Sequence, residues 1–171
     1  MPLGDWMPAL QRMIDLRNVL GLRSPIHSLA RILNPLAARC GLQSIFHPGY
    51  QAVHREASQL LGDHAIVVKG DGGEIELNPD AVCHLYGTER GENWDEDWPM
   101  LSERRHVKPE RLDPTHLQAV WRGEAEDAYG QLAIIATMAL ALRGLGLQRE
   151  AAFAEAEKRW QARHLSSQPI R

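Results

Sequence analysis

The sequence is poor in cysteine, in aromatic residues and in long apolar runs. Its two cysteines, Cys40 and Cys83, lack the spacing of a disulfide framework or a zinc site. We therefore expect two small core thiols in a reducing cytoplasm. The longest apolar run, residues 132–142, is much shorter than the roughly 20 residues that cross a bilayer, which favours a buried helix and no membrane partner. The start of the chain also lacks the basic and apolar stretches of an export signal.

A strong charge of either sign is absent too. The 19 basic and 22 acidic residues leave a formal net charge of −3, so nucleic-acid binding would require a local basic patch. The eight histidines lack the i, i+4 pairing of zinc sites, and no serine lies in a nucleophile elbow. What remains, 171 residues with 44% hydrophobic content, predicts one domain with a substantial core.

Apolar periodicity predicts alternating helices and strands, which is typical of an α/β domain. Strands are expected in three segments: 42–46, 65–68 and 82–86. Helices are expected in six segments: 5–20, 24–32, 50–61, 113–121, 128–142 and 150–164. The last six residues, 166–171, are expected to form a loose tail.

The region 21–76 is where we expect a ligand site, because strand ends in α/β domains form a crevice. Arg23 precedes a helix start at Ser24, an arrangement that favours anion binding. Lys69 and Gly70 precede the glycine-rich segment 71–74. Such a segment either lets the backbone approach a phosphate or forms a plain tight turn.

Carboxylates and histidines border the same crevice. Glu74 and Glu76 would share one face of an extended segment, where they could bind Mg²⁺ or simply form a solvated edge. His27 and His47 flank the crevice and are the histidines that we single out as candidate binding residues.

Residues 87–114 predict a long polar connection with an acidic first part and a basic second part. The basic part could contact a phosphate backbone, with Trp94 or Trp98 stacking on bases. Alternatively, the two parts neutralise each other on the surface. The cations of the basic part are Arg104, Arg105, Lys108 and Arg111.

Three motifs together resemble glycosyltransferase family 3, the family of anthranilate phosphoribosyltransferase. They are LGLRSPIHSLARILNP at 20–35, FHPGY at 46–50 and AIVVKGDGGEIE at 65–76. The corresponding family pattern is similar to GxRTxFNxLGPLxNP, then HP, then VxHGxGLDE. The segment AIIATMALALRGLG at 133–146 also resembles the closing helical region of the family.

The resemblance implies a partial nucleoside phosphorylase or phosphoribosyltransferase catalytic-type α/β domain over residues 1–165, with a short parallel or mixed sheet flanked by helices. Family members bind phosphoribosyl pyrophosphate and magnesium between this domain and a helical domain. We expect the chain to be a C-terminal fragment, because the family's GTGGD loop and helical domain would precede it. Exposed apolar faces would then make the isolated chain dimerise or aggregate.

Two departures from the family pattern resemble its YbiB-type branch, whose members are regarded as nucleic-acid-binding proteins. Leu29-Ala30-Arg31 replaces LGP, and only one acid of Glu74-Ile75-Glu76 aligns with the family's Asp-Glu pair. The resemblance implies a basic groove for single-stranded or non-specific nucleic acid. Its candidate cations are Arg23, Arg31, Lys69, Arg104, Arg105 and Lys108.

The alternative is a transferase that moves phosphoribosyl from phosphoribosyl pyrophosphate to an aromatic acceptor. In that case Glu74 and Glu76 would hold Mg²⁺, and Arg23 would meet the acceptor. The remaining substrate or phosphate candidates are His27, Arg31, His47, Lys69 and Gly70.

Overall fold

The computed structural model describes residues 2–22, 24–70, 75–103, 105–106 and 113–163. The chain divides into two compact units, Met1–Ala38 and Arg39–Arg171. The predicted loose tail and the glycine-rich segment 71–74 lie outside the described residues.

The first unit is built from short helices. They are α1 (Leu3–Trp6), α2 (Pro8–Asp15), α3 (Arg17–Leu20) and α4 (Ile26–Leu29). The prediction of one helix over 5–20 was therefore wrong. Met7 has φ −134° and ψ 75°, because a residue before proline is pushed out of the α region. Gly21 ends this helical region in the left-handed conformation, with φ 68°, which a residue without a Cβ adopts readily.

The helix predicted over 24–32 is reduced to α4. Ser24 does not act as its N-cap, which is Pro25 without a side-chain cap. Ser24 instead contacts the ring of His27, whose Nδ1 lies 3.2 Å from the Ser24 backbone nitrogen. A single helical turn has little macrodipole, so α4 lends little support to the predicted anion pocket.

The second unit contains a four-stranded mixed sheet in the order β1-β2-β3-β4 within the described residues. The strands are β1 (Gly41–Ile45), β2 (Ala65–Lys69), β3 (Cys83–Glu89) and β4 (Glu92–Trp98). β1 and β2 are parallel, joined by helix α5 (Gln51–Leu60), whereas β3 and β4 pair antiparallel. This mixed sheet flanked by helices confirms the predicted fold class.

β4 was missed, because its sequence was taken as part of a long polar connection. Acidic residues are unfavourable in strands, yet side-chain alternation puts Trp94, Glu96 and Trp98 on one face. Arg90 and Gly91 form the hairpin turn with φ of 54° and 82°. Positive φ at both positions is the geometry of a two-residue turn that matches strand twist.

Helices cover both faces of the sheet. One face packs against α5, and the other forms the main core with helices α7 (Ala128–Gly144) and α8 (Arg149–Gln161). The remaining helix, α6 (Pro114–Arg122), is capped by Asp113, whose side chain accepts from the Thr115 backbone nitrogen at 2.8 Å. The described helices include none that is long and apolar enough to span a bilayer.

The buried face of α8 differs from the one that the sequence pattern favours. Apolar spacing places Ala151 and Ala154 in a stripe with Ala156 and Trp160, but Ala151 and Ala154 are exposed. The buried positions are Ala152, Ala156 and Trp160, which recur every four residues along one helix face.

A polar network ties β1 to α5. The Gln43 amide nitrogen donates to the Ser58 hydroxyl at 2.9 Å, and His54 Nδ1 lies 3.0 Å from the Gln43 amide oxygen. All three side chains are buried. Because buried polar groups are costly without partners, these bonds specify how β1 sits on the helix.

The two cysteines are free thiols, and Cys83 belongs to the core. Burial raises the pKa of both thiols to about 11. Nearby acids add to these shifts, Glu89 for Cys40 and Asp97 for Cys83. Since the thiolate is the reactive form, both groups are poor nucleophiles at neutral pH.

Candidate functional site at the carboxyl edge of the sheet

The ends of β1 and β2 meet at one edge of the sheet. Their parallel register sets Ile45 beside Lys69, and the Gly70 backbone nitrogen donates to the Ile45 carbonyl at 3.2 Å. His47 follows two residues after β1. Three predicted site residues, His47, Lys69 and Gly70, therefore lie at one edge, although their role in binding stays a prediction.

The other two strands add chain segments to this edge. Because β3 and β4 run antiparallel, the start of β3 and the end of β4 meet there. We call the carboxyl edge the set formed by His47, Lys69, Gly70 and the described residues of segments 75–81 and 99–106. It includes the predicted cation Arg105, which is exposed.

Segment 99–106 is anchored to segment 75–81. The backbone nitrogens of Leu101 and Ser102 both donate to the Pro79 carbonyl, at 2.9 and 3.0 Å. The His106 backbone nitrogen donates to Asp80 at 2.5 Å, and its ring stacks on Tyr129 at 4.4 Å. These bonds fix the chain on both sides of Arg105.

Segment 75–81 is itself held by α7. The Leu77 backbone nitrogen donates to the Thr137 hydroxyl at 3.0 Å, and that hydroxyl donates to the Ala133 carbonyl. Leu77 is buried whereas Glu76 is exposed, so the predicted alternation holds for these described residues. Of the predicted magnesium pair, Glu76 thus faces solvent and Glu74 lies outside the described residues.

No cluster of three or more histidine, cysteine or acidic side chains suited to a metal occurs among the described residues. The single described carboxylate of the predicted pair, Glu76, is not a metal site by itself. Magnesium binding at Glu74 and Glu76 therefore stays a prediction.

Neither tryptophan that we predicted for base stacking is available for it. Trp98 is 1% exposed, packs on Phe153 and donates its indole N–H to Glu96 at 2.8 Å. Trp94 is half-buried beneath the guanidinium of Arg143, which lies 4.4 Å from its ring centroid. Alternation within β4 turns both rings towards the helices, which the polar-connection prediction could not anticipate.

Exposed aromatic side chains do occur at the carboxyl edge, where the predicted strand 42–46 is followed by the predicted helix 50–61. Phe46 and Tyr50 are 52% and 60% exposed. Between them His47 contacts both rings edge-on, with centroids 5.0 Å from Phe46 and 6.4 Å from Tyr50. The sequence FHPGY could have indicated this cluster, because it places two aromatic residues and a histidine at the carboxyl end of a predicted strand.

The acidic side chains of β4 have partners elsewhere in the fold. Asp95 accepts from Arg55 at 2.9 Å, Glu96 accepts from Arg143 at 2.8 Å, and His84 lies between Asp95 and Asp97. These bases come from α5, α7 and β3. The sequence also allowed the acidic and basic parts of residues 87–114 to neutralise each other. These described acids instead pair with groups outside residues 87–114.

The remaining predicted site residues cannot be assigned to this edge. His27 and Arg31 are half-buried within the first unit. Arg23, Arg104 and Lys108 lie outside the described residues, as does Arg111. Their contribution to a shared groove stays a prediction.

Two exposed carboxylates elsewhere have altered acidity. A hydrogen bond from the Thr115 hydroxyl lowers the pKa of Asp113, with help from backbone N–H groups. Its own backbone N–H lowers the pKa of Glu150, and Arg149 adds to the effect. Both groups lie at helix starts, so these shifts reflect hydrogen bonds to the N–H groups available there.

Sequence comparison gives the carboxyl edge its family context. The chain is 30% identical over 142 residues to anthranilate phosphoribosyltransferase of Paracidovorax citrulli, a match that covers 78% of this chain. The same enzyme of Polynucleobacter necessarius is 35% identical over 72 residues. This chain is similar to part of anthranilate phosphoribosyltransferase. No protein-family model matches it.

The relatives are longer than the part that matches. The matched segments span 41% of the Paracidovorax enzyme and 21% of the Polynucleobacter enzyme. The uncharacterized protein YbiB of Escherichia coli is 31% identical over 81 residues, which cover 46% of this chain and 25% of that protein. The predicted family resemblance, of a partial anthranilate phosphoribosyltransferase-like protein, is therefore confirmed.

Proposed function

We propose that this phosphoribosyltransferase-like chain binds single-stranded DNA or RNA through the carboxyl edge, by contacts to phosphates and without base-specific readout. Lys69 and Arg105 are the described cations of this edge. Arg23, Arg31, Arg104 and Lys108 are further cations that we expect to contact phosphates.

The pairing of two acids of β4 supports this proposal. Asp95 and Glu96 form ion pairs with Arg55 and Arg143. Because these two acids are paired elsewhere, local cations at the carboxyl edge can attract a polyanion even when the whole chain carries a net charge of −3. Lys69 and Arg105 are both exposed, as phosphate contacts require.

Charge reversal tests the proposal. The variant Lys69→Glu/Arg105→Glu is expected to bind a fluorescent single-stranded oligonucleotide on the order of tenfold more weakly, because two phosphate contacts become repulsive. In fluorescence anisotropy, the slope of log K against log salt should also lose about 0.7 for each contact removed.

The matched control is Lys158→Glu/Arg159→Glu on α8, which changes the net charge equally but lies on exposed helix positions away from the sheet. It should retain nearly all of the affinity. If both double variants weaken binding equally, net charge and not the carboxyl edge governs the interaction. If the unaltered protein shows no salt-dependent binding, the proposal fails.

Phosphoribosyl transfer is the second candidate, favoured by the identity to anthranilate phosphoribosyltransferases over most of the chain. In this function Glu74 and Glu76 would hold Mg²⁺, which would neutralise the charge of phosphoribosyl pyrophosphate. Arg23 would bind the carboxylate of an aromatic acceptor, since a guanidinium matches a carboxylate in geometry and charge.

Pyrophosphate release distinguishes this candidate. The protein expressed from its complete gene should release pyrophosphate from phosphoribosyl pyrophosphate when Mg²⁺ and an aromatic amine are supplied. Glu76→Gln should lower the rate about tenfold or more because a metal ligand is lost, whereas Glu157→Gln on exposed α8 should not. Absence of turnover with aromatic amines and bases would rule this function out.

A further inference from the structure

The exposed aromatic side chains that follow β1 form a surface with a defined geometry. We propose that Phe46, His47 and Tyr50, called the aromatic platform, stack on the bases of a single-stranded nucleic acid. The proposal rests on the proposed nucleic-acid binding and assigns the bases to residues that the phosphate contacts do not involve.

The two rings of the aromatic platform are open to solvent. Phe46 is 52% and Tyr50 60% exposed, so substantial ring area of both residues is open to a ligand. The edge-on contacts of His47 with both rings limit the directions they can take. An aromatic side chain has only two rotatable bonds, so little conformational freedom is lost when it stacks on a base.

A positive charge at the same edge favours nucleic acid over an apolar protein partner. Lys69 is exposed and lies beside Ile45 in the strand register, one residue from Phe46. Adjacent strands are about 4.8 Å apart, so Phe46 and Lys69 belong to neighbouring chain segments at the same edge of the sheet. Nucleic acid presents the same pair of groups along its chain, a flat base and a phosphate.

Helix α5 also begins at the carboxyl edge. A 3-10 turn, Pro48–Tyr50, runs directly into α5, so the N-terminal end of this helical segment lies at that edge. The positive end of a helix dipole adds to the attraction of Lys69 for a phosphate. The platform, the lysine and the helix start together match a strand that stacks its bases and lays its phosphates alongside.

An abasic oligonucleotide separates stacking from phosphate contact, because it has the same charge and no bases. The unaltered chain should bind a thymine oligonucleotide about fivefold or more tightly than its abasic counterpart. The variant Phe46→Ala/Tyr50→Ala should lose that difference while still binding the abasic strand as before. Retained abasic binding would also show that the variant is folded.

The control is Leu60→Ala/Leu61→Ala, which removes two exposed apolar side chains at the opposite end of α5. It should keep the preference for bases. Equal binding of both oligonucleotides by the unaltered chain would overturn the platform but leave the proposed function standing. Binding of neither oligonucleotide would overturn the proposed function itself.

A second copy of the chain is the competing occupant of the platform. Sedimentation of the unaltered chain and of Phe46→Ala/Tyr50→Ala without nucleic acid tests it. We expect the two proteins to have the same oligomeric state. A dimer that dissociates in the variant would show that the platform is a protein interface, and the stacking proposal would fail.

Discussion

Replacing Trp98 with alanine is expected to lower the free energy of unfolding by about 3–5 kcal/mol. The side chain is 1% exposed and lies in the core cluster beside Phe153. Its loss would leave a cavity and would remove the indole N–H that Glu96 accepts. Urea unfolding followed by circular dichroism measures the change.

The conservative variant Trp98→Phe separates the two effects. It keeps most of the apolar volume and loses the hydrogen bond to Glu96, so about 1–2 kcal/mol should be lost. If Trp98 were a surface residue that stacks on bases, as we first predicted, Trp98→Ala would change stability by less than about 0.5 kcal/mol. That outcome would contradict the position of β4 in the sheet.

Substitution of Gly87 by alanine is expected to cost about 3 kcal/mol, at the upper end of the range for overpacking. A Cβ at this position would lie 1.9 Å from Cε2 of Trp94, its partner across the β3–β4 pair. The ring cannot move aside freely, because the Arg143 guanidinium covers it and is held by Glu96.

A double-mutant cycle isolates this contact. In a Trp94→Ala background, Gly87→Ala should be nearly neutral or slightly stabilising, since the glycine no longer faces a ring and alanine restricts the unfolded chain. The coupling free energy should be about 1–3 kcal/mol. Thermal unfolding checks it, since about 1 kcal/mol shifts Tm by roughly 2–4 °C in a chain of this size. Purely additive effects would exclude the ring contact.

Much of the fold could be predicted because local signals agreed with the tertiary arrangement. The run Ala65–Val68 is short and largely β-branched, and it forms the buried part of strand β2, which ends at the exposed Lys69. Asp113-Pro114 begins α6 as a cap followed by proline should. Where pattern and propensity pointed the same way, only element boundaries moved by one to three residues.

The errors occurred where tertiary contacts overrode local preference. The acidic strand β4 has weak strand propensity, and its charges are tolerated because Arg55 and Arg143 approach from two different helices. Those partners are 40 and 47 residues away in sequence. No local pattern could have indicated them.

Part of the candidate site was predictable, because sheet topology alone brings strand ends together. Residues at the ends of parallel strands meet whatever their identity, so His47, Lys69 and Gly70 could be grouped from the sequence. The place of Arg105 could not, because it depends on antiparallel pairing of β4 and on the bonds that anchor segment 99–106 at Pro79 and Asp80.

The buried bonds among Gln43, His54 and Ser58 have a consequence for strand slippage. A shift of β1 by two residues would keep the same side chains facing inwards but would carry Gln43 away from both partners. The resulting loss of hydrogen bonds makes that misaligned state unfavourable by a few kcal/mol, on the order of two buried bonds. The contact between β1 and α5 thus fixes the residue at which the chain leaves the sheet. It therefore also determines which aromatic side chains lie at the carboxyl edge.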